Sequence, residues 1–192
     1  TTVFQVSFAL VWSGTWPATV NVINNDCNES VYNFMVQGTY ECPQITTGIN
    51  GLPASVCENA PALSISGYPL PGGVFSGVGI TAGNDGTAIF NPAAAGAGGP
   101  FEIMYAYTDA ANGCTYGSTQ FVLVNPLPAI SMYGLQSTYC INAAVSVLTA
   151  MPAGGTFSGP GITGNIFNPA LAGEGGPYTI TYTYTNVNGC SN

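Results

Sequence analysis

The chain carries an internal repeat that is rich in glycine. The segment GGVFSGVGIT at residues 72–81 returns as GGTFSGPGIT at residues 154–163. Further along, IFNPAAAGAGGPF at 89–101 returns as IFNPALAGEGGPY at 166–178. Elements that recur in the same order indicate a structural unit that is used twice.

The two copies differ in length mainly at one turn. AGNDGT at 82–87 is shortened to Gly164 in the later copy, and surface turns tolerate such changes at little cost. We therefore expect a first repeat over residues 52–128 and a second repeat over residues 129–192. The second repeat lacks a counterpart of the last strand of the first, STQFVLVNP at 118–126.

Each repeat is predicted to consist of strands and turns. FEIMYAYT at 101–108 and YTITYTYT at 178–185 alternate in polarity, which is typical of strands with one buried face. TAIF at 87–90 ends at an Asn-Pro pair, where proline terminates pairing. The AAAGAG segment at 93–98 is too short and too rich in glycine to be expected as a helix. Many short strands at this spacing predict an all-β chain of tandem β-sandwich domains.

The charge of the chain excludes several classes of function. It contains eight carboxylates and no lysine, arginine or histidine, which gives a net charge of −8. A nucleic-acid binder needs cationic side chains, and so does a protein that docks on an anionic membrane surface. Imidazole metal sites and Ser–His or Cys–His nucleophiles are excluded as well. There is no apolar run of 18 residues, so we expect no membrane span in this segment.

Six cysteines, at positions 27, 42, 57, 114, 140 and 190, indicate disulfides and an oxidising compartment. Cys57 and Cys140 precede the first strand of their repeats, whereas Cys114 and Cys190 follow the turn before the last strand. These equivalent positions predict one bridge within each repeat, Cys57–Cys114 and Cys140–Cys190.

Three acidic residues are weak candidates for calcium ligands. Asp26 and Glu29 lie in NNDCNES, and Asp109 lies before an Asn-Gly turn. Calcium takes six to eight oxygen ligands, usually with several carboxylates. Asp and Asn are also good turn formers, and we favour that role, so no cofactor is expected.

Enzymatic activity is not expected. The glycine-rich loops lack the following helix and the lysine of a phosphate-binding loop. Glu102 and Asp109 could be imagined as the carboxylate pair of a glycosidase, but seven residues apart along a strand they point to opposite faces.

Aromatic residues form a candidate platform for sugars. The tyrosines Tyr105 and Tyr107 share one face of a strand, and Tyr182 and Tyr184 repeat the pattern. Trp12 and Trp16 flank a short turn. An exposed tyrosine face can stack on a glycan, although packing inside or between domains is the interpretation that we favour.

The ordered motifs Cys, GGxFSGxGI, FNP, GGPYTITYTYT, NGC and VNPLP resemble the Ig-like, PKD-like repeats of large secreted proteins of Bacteroidetes. This resemblance covers residues 52–192. It implies immunoglobulin-like domains in a cell-surface adhesin exported by type IX secretion, with surface glycans or host ligands as partners. The stretch NNDCNESVYNFMVQGT at 24–39 carries a second resemblance. Through it, residues 1–51 resemble the C-terminal half of a choice-of-anchor D (ASPM/SPD-2/Hydin-like) domain, in which Cys27 and Cys42 would tie the ends of the last hairpin.

In this interpretation the first and last domains are incomplete, and three functions remain open. The chain is a structural or adhesive extracellular segment of a long tandem-domain protein, in which neighbouring domains are its partners. Alternatively, it is a filament subunit whose residues 1–12 are donated as a strand to another copy. A third alternative is a carbohydrate-binding module.

Overall fold

The structure is a computed structural model, and it describes residues 14–22, 32–83 and 85–192. Strands dominate, which confirms the all-β class. They are β1 (Gly14–Val22), β2 (Tyr32–Tyr40), β3 (Gly48–Asn50), β4 (Ser55–Cys57), β5 (Leu63–Tyr68), β6 (Gly73–Gly77), β7 (Ile80–Ala82), β8 (Thr87–Phe90), β9 (Gly98–Thr108), β10 (Thr115–Asn125), β11 (Ser131–Tyr133), β12 (Ser146–Val147), β13 (Thr149–Met151), β14 (Thr156–Ser158), β15 (Ile162–Thr163), β16 (Ile166–Phe167) and β17 (Thr181–Thr183). Two short helices are α1 (Pro92–Ala95) and α2 (Pro169–Ala172). Within the described ranges, no helix is long and apolar enough to span a membrane.

Strands β1 and β2 form an antiparallel hairpin. Gly14 lies opposite Tyr40 at one end, and Val22 lies opposite Tyr32 at the other. A hairpin was expected in this part of the chain from its resemblance to another module. The two strands form a two-stranded sheet of their own.

Two four-stranded sheets share one core; they contain the strands of the first repeat and β3, which lies just before residue 52. One sheet has the order β4-β10-β9-β6 and the other the order β3-β5-β8-β7. Side chains of both sheets belong to a single buried cluster: Ile65 and Phe90 come from the second sheet, and Ile103 and Val122 come from the first. Burial of these apolar side chains is the main stabilising term for a domain of this size.

The alternation of polar and apolar residues determines which side chains of β9 are buried and which are exposed, as predicted. Ile103 and Tyr105 point into the core, whereas Glu102 and Met104 between them are exposed. Strand β9 pairs with β10 along one edge and with β6 along the other. It is therefore one of the two central strands of its sheet, together with β10.

The expectation that residues 93–98 contain no helix was wrong in one detail. Pro92–Ala95 form a single helical turn, because the side chain of Asn91 accepts hydrogen bonds from the backbone N–H groups of Ala93 and Ala94. Proline at the first helical position and an Asn cap suffice for one turn. The second repeat builds α2 in the same way, with Asn168 as the cap.

The second repeat forms smaller sheets than the first. Strand β14 pairs with β17, and β16 lies between β12 and β15. The strand expected over 178–185 is reduced to Thr181–Thr183. In the first repeat the equivalent strand extends over eleven residues because β10 pairs along its whole length.

The predicted disulfides were wrong. Cys42 bonds Cys114, and Cys57 bonds Cys190, with Cα–Cα distances of 5.9 Å and 5.5 Å. Cys140 is an exposed free thiol, so the predicted Cys140–Cys190 bridge is absent. The predicted partner of Cys42, Cys27, lies outside the described residues, but Cys42 itself is bonded elsewhere.

The length of β10 explains why Cys57 cannot bond Cys114. Cys57 lies opposite Asn125, at the C-terminal end of β10, whereas Cys114 immediately precedes the N-terminal end of that strand. The eleven residue steps from Cys114 to Asn125 span about 36 Å of extended chain, and a disulfide requires Cα atoms within about 7 Å. Equivalent positions in the repeats therefore do not make a bridge within each repeat.

Candidate functional site

The strongest connection between the two repeats is covalent. Cys57 at the end of β4 in the first repeat is bonded to Cys190 in the second. The side chain of Cys190 is fully buried. The bond therefore has one buried end, Cys190, and one half-buried end, Cys57.

Amide side chains surround this disulfide and bind backbone carbonyl groups across the junction. Asn59 Nδ2 donates to the carbonyl oxygen of Ser191 at 3.1 Å. From the second repeat, Asn186 Nδ2 donates to Pro126 O at 3.3 Å and Asn192 Nδ2 donates to Pro128 O at 3.0 Å. Because the chain has no cationic side chains, its side chains cannot form ion pairs with one another. Neutral amide–carbonyl hydrogen bonds supply the polar contacts at this junction.

The second disulfide fastens the segment before the first repeat to β10. Cys114 is almost fully buried, and its partner Cys42 directly follows the β1–β2 hairpin. Tyr116 O–H donates to the carbonyl oxygen of Pro43. Thr47 Oγ1 and Ser118 Oγ are 3.0 Å apart and share a hydrogen bond. Residues 42–47 are thus held against the start of β10.

A groove of about 540 Å³ opens in the second repeat. Two chain segments line it, residues 135–141 and residues 172–180, together with Phe167 and Pro169. The apolar side chains among its lining include Tyr139, Ile141, Tyr178 and Ile180. A second cavity lies elsewhere in this repeat.

The second cavity, of about 460 Å³, results from the shortened turn. It lies beside Gly164 and Asn165, where the first repeat has the longer loop of residues 82–87. In the first repeat, Leu70 reaches this region and approaches Gly86. The second repeat has the smaller Ala153 in the corresponding loop, which leaves the space open.

Two of the tyrosines that were candidates for binding sugars, Tyr105 and Tyr182, pack inside their repeats. Tyr105 is 1% exposed and Tyr182 is 6% exposed. Each hydroxyl donates at 2.6 Å to a proline carbonyl, that of Pro69 and that of Pro152. Burial raises the pKa of the Tyr105 phenol above its ordinary value of 10.0.

Aromatic neighbours complete this packing in both repeats. Phe75 lies 4.9 Å from Tyr105 between ring centroids, and Phe157 lies 4.7 Å from Tyr182. Tyr107 packs on the core and Tyr184 is half-buried. Tyr105 and Tyr182 therefore offer no open ring face of the kind that stacks on a glycan. Trp16 lies in β1, and Trp12 lies outside the described residues.

The carboxylate of Asp109 is engaged in the turn that follows β9. Its Oδ1 accepts from the backbone N–H of Ala111 at 2.9 Å, and its Oδ2 accepts from Asn112 Nδ2 at 2.7 Å. The described residues contain no group of three acidic or cysteine side chains that could hold a metal ion. Asp26 and Glu29 lie outside those residues.

The glycine loops that resemble phosphate-binding loops act as turns. Gly79 and Gly161 both have φ of +74°, a left-handed conformation that favours glycine. Each glycine carbonyl accepts a 2.8 Å hydrogen bond, from the N–H of Asn91 and of Asn168. The loops are thereby closed onto the caps of α1 and α2.

Sequence reasoning missed the residues of the junction. Asn59, Asn186 and Asn192 carry no motif, and their partners are backbone carbonyl groups that any residue could supply. One available signal was that Asn59 has an equivalent in the second repeat, Asn142, two residues after Cys140.

No protein-family model matches the chain, and neither the curated proteins nor the solved structures contain a significant match.

Proposed function

We propose that this chain is a non-enzymatic extracellular segment with a structural or adhesive role in a long tandem-domain protein of the cell surface or of a filament. Its repeats would be immunoglobulin-like β-sandwiches, as their resemblance to Ig-like, PKD-like repeats implies. Two disulfides support an oxidising, extracellular setting. The all-β architecture and the repeated unit support tandem domains.

The observation that carries this proposal is the covalent bond between the repeats. The sequence separation of Cys57 and Cys190 is 133 residues, and that of Cys42 and Cys114 is 72 residues. The two loops are interleaved, because Cys57 lies inside one and Cys114 lies inside the other. A force applied to the two ends of the chain therefore passes from residue 57 directly to residue 190 and does not extend the intervening strands.

The linker between the repeats is also restrained. Pro126 and Pro128 fix two φ angles, and their carbonyl oxygens accept the hydrogen bonds from Asn186 and Asn192. A linker held in this way limits hinge motion between the repeats. Limited hinge motion suits a protein that transmits force.

The exposed surface of the first repeat carries apolar side chains through which it could contact another surface without cationic groups. On the outer face of the β6–β9–β10 sheet, Val74, Met104 and Phe121 are each about half exposed. Glu102 is exposed on the same face, opposite Phe121. A largely apolar face of this kind favours packing against another surface. This supports the adhesive part of the proposal.

Force spectroscopy on single molecules held at their termini tests the mechanical role. With both disulfides intact, the 133 residues between Cys57 and Cys190 add nothing to the extended length. Reduction should release about 450 Å of additional contour length, at about 3.4 Å per residue. The variant Cys140→Ser, which removes the free thiol, should behave as the native chain does. Equal extension before and after reduction would contradict the proposal.

A further inference from the structure

The shortened turn of the second repeat leaves part of β13 without a neighbouring strand. In the first repeat, the N–H of Gly67 donates a 2.9 Å hydrogen bond to the carbonyl oxygen of Gly86, in the loop before β8. Ala150 is the counterpart of Gly67, because each pairs with the middle residue of the short strand that precedes it, β11 or β3. Residues 83–87 have no counterpart in the second repeat, so no residue there corresponds to Gly86.

The backbone of Ala150 is directed to this edge of β13. Leu148 N–H donates a 2.7 Å hydrogen bond to the carbonyl oxygen of Asn165, and alternate residues of a strand direct their backbone groups to the same edge. The N–H of Ala150 therefore points to the side on which Leu148 meets Asn165, away from β11. Within the part of the chain that the structure describes, this N–H has no acceptor on that side. It is a free donor at the end of a strand edge.

This edge borders the cavity of about 460 Å³ in the second repeat. Thr149 and Ala150 line the cavity, together with the apolar side chains of Leu148, Phe157 and Tyr182. None of the described residues that line it carries a charge. Apolar walls with a few polar groups at fixed positions are typical of binding sites, and the absence of charge in the lining favours an uncharged ligand.

The burial of equivalent residues shows what the longer loop of the first repeat covers. Gly67 is buried, whereas Ala150 is half-buried. Gly73 is also buried, whereas its counterpart Gly155, which lines the cavity, is half-buried. The second repeat therefore leaves backbone accessible that the first repeat covers with its own chain.

The first repeat also shows which group fits beside the free donor. A Cβ atom on Gly86 would lie 2.5 Å from Leu70 Cδ2, so a side chain at that position would enter the space that Leu70 fills. In the second repeat the smaller Ala153 stands in place of Leu70 and lines the cavity. A single residue can therefore present its carbonyl oxygen to Ala150 and place an aliphatic side chain in the cavity.

We propose that this cavity binds a short, uncharged, extended peptide segment of a partner protein through one aliphatic residue. The segment runs antiparallel to β13, as β8 runs antiparallel to β5 in the first repeat. The carbonyl oxygen of the aliphatic residue accepts from Ala150 N–H, and its side chain occupies the space beside Ala153. Addition of a peptide to a strand edge gains affinity from backbone hydrogen bonds and specificity from the side-chain pocket. A second copy of this chain is a poorer occupant, because two chains of net charge −8 repel each other.

Backbone-amide NMR spectroscopy of the full chain tests the site. The probe is the neutral peptide acetyl-TLT-amide, and its matched control, acetyl-TGT-amide, lacks the aliphatic side chain. We expect a saturable shift of the Ala150 amide resonance with the probe. The control should bind at least about tenfold more weakly, because it buries no leucine side chain. Absence of a shift at Ala150, or equal affinity of the two peptides, would overturn the proposal.

Two variants fill the cavity from within and should abolish binding of the probe. Ala153→Leu restores the residue of the first repeat, and insertion of GNDGT between Gly164 and Asn165 restores its loop. Ala144→Leu is the matched control, because Ala144 is exposed and lies outside the cavity, and it should bind the probe as the native chain does. Unchanged binding to both filled variants would show that the peptide binds elsewhere.

Two further titrations distinguish other occupants. A shift of the Ala150 amide with cellohexaose but not with the peptide would overturn the proposal in favour of a glycan. A shift that depends on the concentration of the chain alone would overturn it in favour of a second copy. The inference is independent of the proposed mechanical role, because the variants leave both disulfides unchanged and the extension on reduction is measured separately.

Discussion

Cys57 and Cys190 lie in different repeats and are joined by a disulfide across a sequence separation of 133 residues. Cys190 occupies the turn of the second repeat that is equivalent to the turn of Cys114 in the first. Each turn cysteine bonds a cysteine that lies before its own repeat: Cys114 bonds Cys42, and Cys190 bonds Cys57. The pairing therefore links each repeat to the segment before it.

Loss of this bond should destabilise the chain strongly. Replacement of Cys57 by serine should lower the free energy of unfolding by about 4–5 kcal/mol, because the unfolded chain gains the entropy of a long closed loop. Urea denaturation under non-reducing conditions measures the difference. Cys140→Ser is the matched control, since Cys140 is exposed and free, and it should stay within about 0.5 kcal/mol of the native chain. Equal effects of the two variants would contradict the assignment of the bridge.

The strands of the first repeat could be predicted from the sequence because their patterns are local. TAIF and FEIMYAYT became β8 and most of β9, and the Asn-Pro pair ended β8 as expected. The disulfides could not be predicted in the same way. Their pairing depends on the register of β4 against β10, whose paired residues are 68 positions apart in the sequence. No local pattern contains such a relation.

The second repeat also shows that local sequence patterns do not determine which strands pair. Its sequence over 178–185 alternates as regularly as that of β9, yet residues 178–180 are not paired as a strand. Alternation gives a segment two distinct faces, but a strand forms only where a neighbour accepts its backbone hydrogen bonds. The groove at this edge was missed by the search for motifs because it is defined by an unpaired edge rather than by particular residues.

Equivalent leucines should differ in their contribution to stability. Leu52→Ala should cost about 2–5 kcal/mol, since the side chain is 7% exposed and its loss leaves a cavity. Leu135→Ala should cost less than about 1 kcal/mol, because this side chain is 39% exposed beside the open groove. Thermal and urea unfolding of the two variants measure the difference. Similar losses at both positions would mean that the core of the second repeat is covered in solution.

Gly73 should not tolerate a side chain. A Cβ atom at this position would lie 2.1 Å from the ring of Tyr105, so Gly73→Ala must displace a buried ring that contacts Phe75. We expect a loss of about 1–3 kcal/mol in the free energy of unfolding. Gly117→Ala is the control, because the nearest atom to its Cβ, Tyr105 O, is at an ordinary 3.5 Å. A loss at Gly117 as large as that at Gly73 would argue against the packing of Tyr105.

Tyr105 should make the chain sensitive to alkaline pH. Burial raises the pKa of its phenol in the folded chain above 10.0, so the folded state keeps this proton at a pH where the unfolded state releases it. The resulting stability is fully present below pH 10.0 and decreases as the pH rises from there through the folded-state pKa. Tyr105→Phe removes the hydrogen bond to Pro69 O and should be less stable than the native chain near neutral pH, by about 1 kcal/mol. Its free energy of unfolding should nevertheless fall less steeply above pH 10. Urea denaturation across this range measures both slopes, with Tyr133→Phe as the control at an exposed position. Parallel slopes for the native chain and Tyr105→Phe would show that the Tyr105 phenol is not the group that couples alkaline pH to unfolding.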